Sequence, residues 1–158
     1  MDLSQYLEIF IDETNEHLQN LNEQLLILEK EPENENTINE IFRAAHSLKG
    51  MAGTMGYKRM QHLTHIMENV LSEIRNGKMN VTSELVDILF QSLDALEVYL
   101  DEILNTTEEG TNDNEQIIIL LNKYLESEGS DAPQTEKKPE PKEEKQETKS
   151  ASSNLMSN

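Results

Sequence analysis

The sequence predicts an all-α protein: an up-down-up-down four-helix bundle followed by a fifth short helix and a disordered tail. Apolar residues recur at alternating spacings of three and four over most of residues 1–105, a pattern typical of amphipathic helices. Short polar connections separate the first four patterns, and helices joined by short loops pack antiparallel. No alternation of apolar and polar residues is long enough to indicate a strand.

The first two patterns predict long helices. The first runs from Leu7 to Leu28 and stops before Pro32, because proline cannot continue a helix. The second runs from Ile38 to Ala52, with Thr37 as the expected N-cap and Gly56 as the expected stop. The stripe of the first helix consists of Leu7, Ile11, Thr14, Leu18, Leu21, Leu25 and Leu28.

The remaining patterns predict three further helices. The third runs from Met60 to Ile74 and ends at Gly77, and the fourth runs from Thr82 to Ile103. A shorter fifth pattern, from Ile117 to Leu125, follows a polar loop. Four long helices with short connections are therefore expected to form the bundle, and the fifth helix to cap it or lie alongside.

The chain divides into a helical part and a charged tail. We assign residues 1–128 to one helical domain (bundle 1–105, fifth helix about 114–127) and residues 129–158 to a flexible charged linker. The tail holds three of the four prolines and almost no large apolar residue, so it cannot bury enough surface to offset the entropy of ordering it. A linker at a chain end commonly leads to another domain, and we expect the chain to be a fragment of a longer protein.

Charge and composition exclude several classes of function. The chain has 13 Lys and Arg against 31 Asp and Glu, a formal net charge of −18, which disfavours nucleic acid and anionic membrane surfaces as partners. It has no Cys, which removes disulfides, thiolate zinc sites and cysteine nucleophiles. No apolar stretch is long enough for a membrane span, and no signal peptide is evident. These features predict a cytoplasmic protein.

The second predicted helix contains an unusual face. Lys49, Gly50 and Gly53 follow His46 by three, four and seven residues, so all four share one side of the helix. Each glycine in a helix interior costs about 1 kcal/mol relative to alanine, so two on one face require a reason. Either a neighbouring helix packs tightly there, or a bare surface leaves room around His46 for an incoming group or protein.

Charged residues flank this histidine. Arg43 precedes His46 by three residues and Lys49 follows it by three, so the two cations would hold an anion placed on the ring. For Arg43, an ion pair with Glu40 is an equally good interpretation. The sequence contains no glycine-rich loop of the kind that cradles nucleotide phosphates, so any ATP would have to bind elsewhere.

The third predicted helix supplies a possible partner for the imidazole. His65 and Glu68 are three residues apart on one flank of its apolar stripe, and in an antiparallel neighbour that flank can meet the face of His46. A carboxylate that accepts the Nδ1–H of a histidine fixes its tautomer and leaves Nε2 free as a nucleophile.

Three segments resemble one family. The segment from Phe42 to Gly56 (FRAAHSLKGMAGTMG) is similar to the phosphorylation motif of histidine-phosphotransfer (HPt) domains, specifically those of the CheA family of chemotaxis histidine kinases. The segment from Leu63 to Leu71 (LTHIMENVL) resembles the third-helix motif of that family, and the opening from Tyr6 to Thr14 also fits. The resemblance extends from residue 1 to about residue 105.

The resemblance implies a function. His46 would be phosphorylated from ATP by the ATP-binding domain of the same kinase, in trans within a dimer, and would pass the phosphoryl group to an aspartate of a CheY-like or CheB-like response regulator. ATP and Mg²⁺ would be substrates of that kinase domain, so this chain needs no cofactor or metal of its own. The parent kinase would associate with membrane chemoreceptor arrays, whereas the isolated bundle is expected to be a monomer.

The resemblance also implies roles for the residues around His46. Glu68 would hydrogen-bond Nδ1 and orient the ring, while Lys49 and His65 would border the site. Met51 departs from the family, in which many members have another glycine, and it adds bulk beside the nucleophile. The partner surface would consist of Arg43, Gly50, Met51 and Gly53.

Two alternatives to phosphotransfer remain at this stage. One is a metal-binding bundle, which is disfavoured because the single His65-x-x-Glu68 pair is reversed relative to the di-iron motif and has no twin. The other is a non-catalytic scaffold or interaction bundle, in which His46 is incidental and the two glycines pack against another helix. The remaining histidines, His17 and His62, are interpreted as structural or solvated.

Overall fold

The structure, a computed structural model, describes residues 2–131 and contains five helices and no strand within that range. The helices are α1 (Leu3–Lys30), α2 (Glu35–Met55), α3 (Lys58–Arg75), α4 (Ser83–Thr106) and α5 (Glu115–Asp131). The compact unit extends to Tyr124, and the described part of the second unit, from Leu125 to Asp131, is the remainder of α5. The predicted linker lies outside the described residues beyond Asp131.

The first four helices form the predicted all-α bundle. Each of them packs against two others, α1 against α2 and α4, and α3 against α2 and α4, so the contacts close into a ring around one core. The side chains at the centre of this core are fully buried: Leu21, Leu25, Ile41, Leu48, Leu63, Met67, Leu89 and Leu96. None of the helices within residues 2–131 combines the length and apolar character that crossing a bilayer requires.

The start of α1 differs slightly from the predicted stripe. Phe10 is buried and its ring lies 5.3 Å from that of Tyr57, whereas Leu7 and Ile11 are only half-buried. The aromatic pair ties the first turns of α1 to the α2–α3 connection. The predicted stop before Pro32 is confirmed, because α1 ends at Lys30.

The ends of α2 show one wrong and one correct prediction. The N-cap is Asn34 rather than Thr37: the Asn34 side-chain oxygen accepts the Thr37 amide at 3.1 Å, and α2 begins at Glu35. Thr37 is instead buried in the first turn, at 3% exposure. Gly56 closes the helix as predicted, with a left-handed φ of 80°, a conformation that glycine adopts without steric cost.

The start of α3 is capped from a distant part of the chain. Its own N-cap residue, Tyr57, makes no side-chain capping bond. The buried carboxylate of Glu109, in the α4–α5 connection, accepts the backbone amides of Arg59 and Met60 at 2.9 Å each. This acceptor satisfies free N–H groups and complements the positive end of the helix dipole.

The later helix boundaries agree with the sequence at their starts. The hydroxyl of Thr82 accepts the Leu85 amide at 3.1 Å and caps α4, as predicted. The fifth helix begins at Glu115, close to the expected start, but continues to Asp131 instead of ending near residue 127.

Candidate functional site

His46 lies near the middle of α2, on the face opposite the core, and its side chain is 63% exposed. The preceding turn places Phe42 beside it: the two rings are within 7° of parallel, with centroids 6.3 Å apart. The guanidinium of Arg75, in the last turn of α3, lies 4.2 Å from the centroid of the Phe42 ring. The imidazole is therefore open to solvent, and on one side it lies next to the Phe42 ring, which also contacts Arg75.

Glu68 of α3 meets the imidazole, as the sequence predicts. Its Oε2 lies 2.6 Å from Nδ1 of His46, a short distance typical of a charge-assisted hydrogen bond. A carboxylate is only an acceptor, so this bond requires the Nδ1 proton. In the neutral imidazole the lone pair is then on Nε2, which is the nitrogen that can act as a nucleophile.

Lys49 completes a three-residue network through the same carboxylate. Its Nζ lies 2.6 Å from the other carboxylate oxygen, Oε1 of Glu68, so Glu68 bridges the lysine and His46. Burial of the carboxylate acts to raise the pKa of Glu68, but the hydrogen bonds from Lys49 and His46 outweigh it, and the net pKa lies below the ordinary value. Glu68 is therefore held as an anion next to the imidazole.

The two glycines of α2 occupy different environments. A Cβ atom built on Gly50 would meet no atom within 4 Å, so this position is open space one turn after His46. A Cβ on Gly53 would lie 2.6 Å from the side-chain nitrogen of Gln61 in α3. Gly50 therefore adjoins open space, whereas Gly53 adjoins the end of the Gln61 side chain.

The other predicted site residues are not part of the network of His46, Glu68 and Lys49. Arg43 is exposed and forms the alternative ion pair, with its Nη1 2.8 Å from Oε2 of Glu40. His65 is exposed one turn before Glu68 and makes no hydrogen bond or ion pair with any residue that the structure describes. Met51 is half-buried and lines a groove next to His46.

This groove, between α1 and α2, was not evident from the sequence. It encloses about 560 Å³ and runs from the first turns of α1 to His46. Its apolar lining includes Tyr6 and Ile9, which are 53% and 44% exposed, and its polar lining includes His17. The available signal was the apolar character of Tyr6 and Ile9 outside the buried stripe of α1. His17 borders the buried stripe, since it follows Thr14 by three residues and precedes Leu21 by four, and no pattern in the sequence indicates that it lines a groove.

The described residues also bear on the metal-binding alternative. Within residues 2–131 no three side chains of His, Cys, Asp or Glu converge to hold an ion. The Glu68 carboxylate is already bound by His46 and Lys49. The arrangement therefore matches an oriented imidazole nucleophile better than a set of metal ligands.

The site is thus an exposed histidine oriented by a carboxylate on the outer face of a four-helix bundle. The family model of the Hpt domain matches residues 5–106, and the chain belongs to the Hpt domain family. The relatives it matches include the chemotaxis protein CheA of Bacillus subtilis (strain 168), which is 57% identical over 105 residues. That match covers 66% of this chain and 16% of the relative, so the chain spans only a small part of that protein.

Solved structures agree with this membership. A solution structure of the histidine phosphotransfer domain of CheA has a TM-score of 0.71 at 42% identity, over 78% of this chain and 93% of that one. The CheA phosphotransferase domain from Thermotoga maritima has a TM-score of 0.63 at 49% identity, over 66% of this chain and 99% of that one. The all-α fold and the family resemblance predicted from the sequence are therefore confirmed.

Proposed function

We propose that His46 is the phosphoryl-accepting residue of a chemotaxis histidine kinase. It takes the γ-phosphoryl group of ATP held by the kinase domain and passes it to an aspartate of a response regulator. The observation that carries this proposal is the 2.6 Å contact between Nδ1 of the exposed His46 and Glu68, because it leaves Nε2 as a directed nucleophile at the surface.

The chemistry follows from this orientation. The Nε2 lone pair attacks the γ-phosphorus, an N–P bond forms, the bond from phosphorus to the bridging oxygen breaks, and ADP leaves. Positive charge develops on the ring during attack, and the Glu68 carboxylate stabilises it through the Nδ1 proton. Phosphoryl transfer passes through a loose transition state in which positioning and charge matter most, so an oriented imidazole is the contribution that this chain can make.

Lys49 acts through Glu68 and next to the incoming group. Its ammonium holds the outer carboxylate oxygen at 2.6 Å, which keeps Glu68 ionised and fixed in place. In this role Lys49 is a positioning residue, and its half-exposed ammonium also lowers the cost of bringing a phosphate close to an acidic protein. His65, exposed one turn from Glu68, is the outer neighbour of the site.

The partners approach from the open side of α2. We assign the first partner to the kinase's own ATP-binding domain, acting in trans within a dimer, and the second to a CheY-like or CheB-like regulator. ATP and Mg²⁺ arrive with those partners. The empty space at Gly50 lets their active sites reach Nε2. The parent kinase would work at membrane chemoreceptor arrays, while this unit remains a monomer.

Phosphoryl transfer in trans tests this proposal. The chain is mixed with labelled ATP, Mg²⁺ and a kinase core that lacks this domain, and His46→Gln is run in parallel. His62→Gln is the matched control, because it makes the same change at another exposed helical histidine. The expected result is an acid-labile, base-stable label that only His46→Gln abolishes, and that an added regulator removes.

Either of two results would contradict the proposal. A core that labels another HPt domain but not this chain would favour the scaffold alternative. Label that persists in His46→Gln would place the acceptor elsewhere.

A further inference from the structure

A second histidine lies in the groove next to the proposed nucleophile. His17 belongs to α1 and is half-buried, and it lines the groove between α1 and α2 together with His46, Ser47 and Gly50. The helices are antiparallel here, since Phe10 of α1 contacts Tyr57 beyond the end of α2, and this register brings His17 level with Gly50, one turn of α2 from His46. His17 makes no hydrogen bond or ion pair with any residue in the described part of the chain.

The orientation of the His46 ring directs a phosphoryl group toward this groove. α2 packs between α3 and α1, and Nδ1 of His46 points to Glu68 on the α3 side. The two nitrogens of an imidazole point in nearly opposite directions, so Nε2 points away from α3. A group bonded to Nε2 therefore lies on the side of His46 away from Glu68, and the groove with His17 in its α1 wall adjoins His46.

A phosphoryl group in the groove would need a hydrogen-bond donor to offset the negative charge around it. The titratable groups that line it are Tyr6, Glu13 and His17 from α1 and His46 from α2, and no residue of α3 or α4 within residues 2–131 lines it. The ammonium of Lys49 is paired with Glu68 and does not line the groove. Glu13 would repel a dianion, so His17 is the one lining group that can carry a positive charge opposite the phosphoryl oxygens.

We propose that His17 is a phosphoryl-binding residue, whose ring N–H donates to an oxygen of the phosphoryl group on Nε2 of His46. This inference rests on the proposed function, because it requires a phosphorylated His46. Donation from a protonated imidazole to a phosphate oxygen is a charge-assisted hydrogen bond. It would stabilise the phosphorylated form against return of the group to ADP.

The four histidines of the chain provide both the readout and its controls. The ring resonances of His17, His62 and His65 are recorded by NMR before and after phosphorylation of the whole chain by the kinase core and ATP. A phosphoryl oxygen that accepts from the His17 ring changes the hydrogen bonding of that ring, so the His17 resonances should shift on phosphorylation. The resonances of His62 should not change.

A variant tests the same contact through the equilibrium of the reaction. The charge-assisted hydrogen bond from His17 forms only when His46 is phosphorylated, so it shifts the equilibrium toward the phosphorylated form. The equilibrium ratio of phosphorylated to free chain, at fixed ATP and ADP, should therefore fall about tenfold in His17→Gln. His62→Gln should leave the ratio unchanged.

The outcomes separate this inference from the function on which it rests. A phosphorylated His46 with unchanged His17 ring resonances overturns the His17 assignment alone, and a shift of the His65 resonances instead would place the phosphoryl group on the α3 side. An equilibrium ratio equally changed in His17→Gln and His62→Gln would also overturn it. Phosphoryl incorporation at none of the histidines overturns both proposals.

Discussion

The two faces of α2 differ in almost every property. On the inner face Ile41, Ala45, Leu48 and Ala52 are completely buried. On the outer face the His46 side chain is 63% exposed, and Gly50 adjoins empty space. The inner face supplies the hydrophobic burial that stabilises the bundle, and the outer face presents a reactive group without enclosing it. Stability and the proposed phosphoryl chemistry therefore share one helix but depend on different side chains.

The largest expected effect on stability comes from the inner face. Leu48→Ala removes a completely buried side chain two residues from the nucleophile, and such changes cost about 2–5 kcal/mol. His46→Gln is the outer-face counterpart, and it loses at most the hydrogen bond to Glu68, so it should lower the free energy of unfolding by no more than about 1.5 kcal/mol. Urea denaturation followed by circular dichroism measures both. Equal losses in the two variants would mean that the faces are not independent.

Glu68→Gln should produce the next largest effect, which is on the rate of phosphorylation and not on the stability of the fold. The amide oxygen can still accept the Nδ1 proton but no longer carries the charge that assists the bond. Hydrogen bonds to charged groups contribute about 1.5–3 kcal/mol, which corresponds to roughly a 10- to 150-fold loss in the initial rate of phosphorylation. Glu40→Gln, on the other side of α2 from this network, is the control and should be silent. A silent Glu68→Gln would remove the carboxylate from the mechanism.

Much of this organisation could be predicted from the sequence because it depends on local patterns. The apolar periodicity predicts four long helices, and Gly56 and Thr82 mark a helix end and a helix start correctly, because each acts on its own neighbours in the chain. The meeting of His46 and Glu68 follows from the antiparallel pairing of two adjacent helices. The family resemblance adds to these predictions but is not required for them.

Other features depend on contacts that the sequence does not reveal. The cap of α3 comes from Glu109, about fifty residues away from Met60, and no local motif predicts it. Gly50 and Gly53 are both glycines on one face of α2, and their surroundings differ because the Gln61 side chain lies next to Gly53 alone. The N-cap of α2 moved to Asn34 because burial of Thr37 in the core outweighs its capping preference.

Thr14, a polar residue in the core, gives a smaller test of whether stability and the phosphorylation rate are independent. Thr14 is completely buried on the inner side of α1, and its hydroxyl has no hydrogen-bond partner in the described residues. An unsatisfied buried hydroxyl costs about 1–3 kcal/mol. Thr14→Val should therefore raise the free energy of unfolding by about 1 kcal/mol or more, without changing the rate of phosphorylation. Thr64→Val is the contrasting control, because its hydroxyl donates to the Met60 carbonyl at 2.8 Å, and it should gain less or lose stability.

The smallest expected effect on stability is at Gly50, where a change that stabilises α2 should also hinder access to His46. Gly50→Ala places a methyl group in open space and should stabilise α2 by about 0.5–1 kcal/mol. The same methyl narrows the approach to Nε2, so transfer to a regulator should slow even though the fold gains stability. Thermal unfolding and stopped-flow transfer, measured on one preparation, would detect both changes. Faster transfer in this variant would show that open space at Gly50 is not needed for access.

The most direct test of the central claim is to identify the atom that carries the phosphoryl group. The chain, labelled with ¹⁵N in its histidine rings, is phosphorylated by the kinase core, and the ring nitrogens are assigned by NMR through their coupling to phosphorus. The account predicts a single N–P bond, at Nε2 of His46, with the proton of Nδ1 retained toward Glu68. A bond to Nδ1 of His46, or to any nitrogen of another histidine, would contradict it.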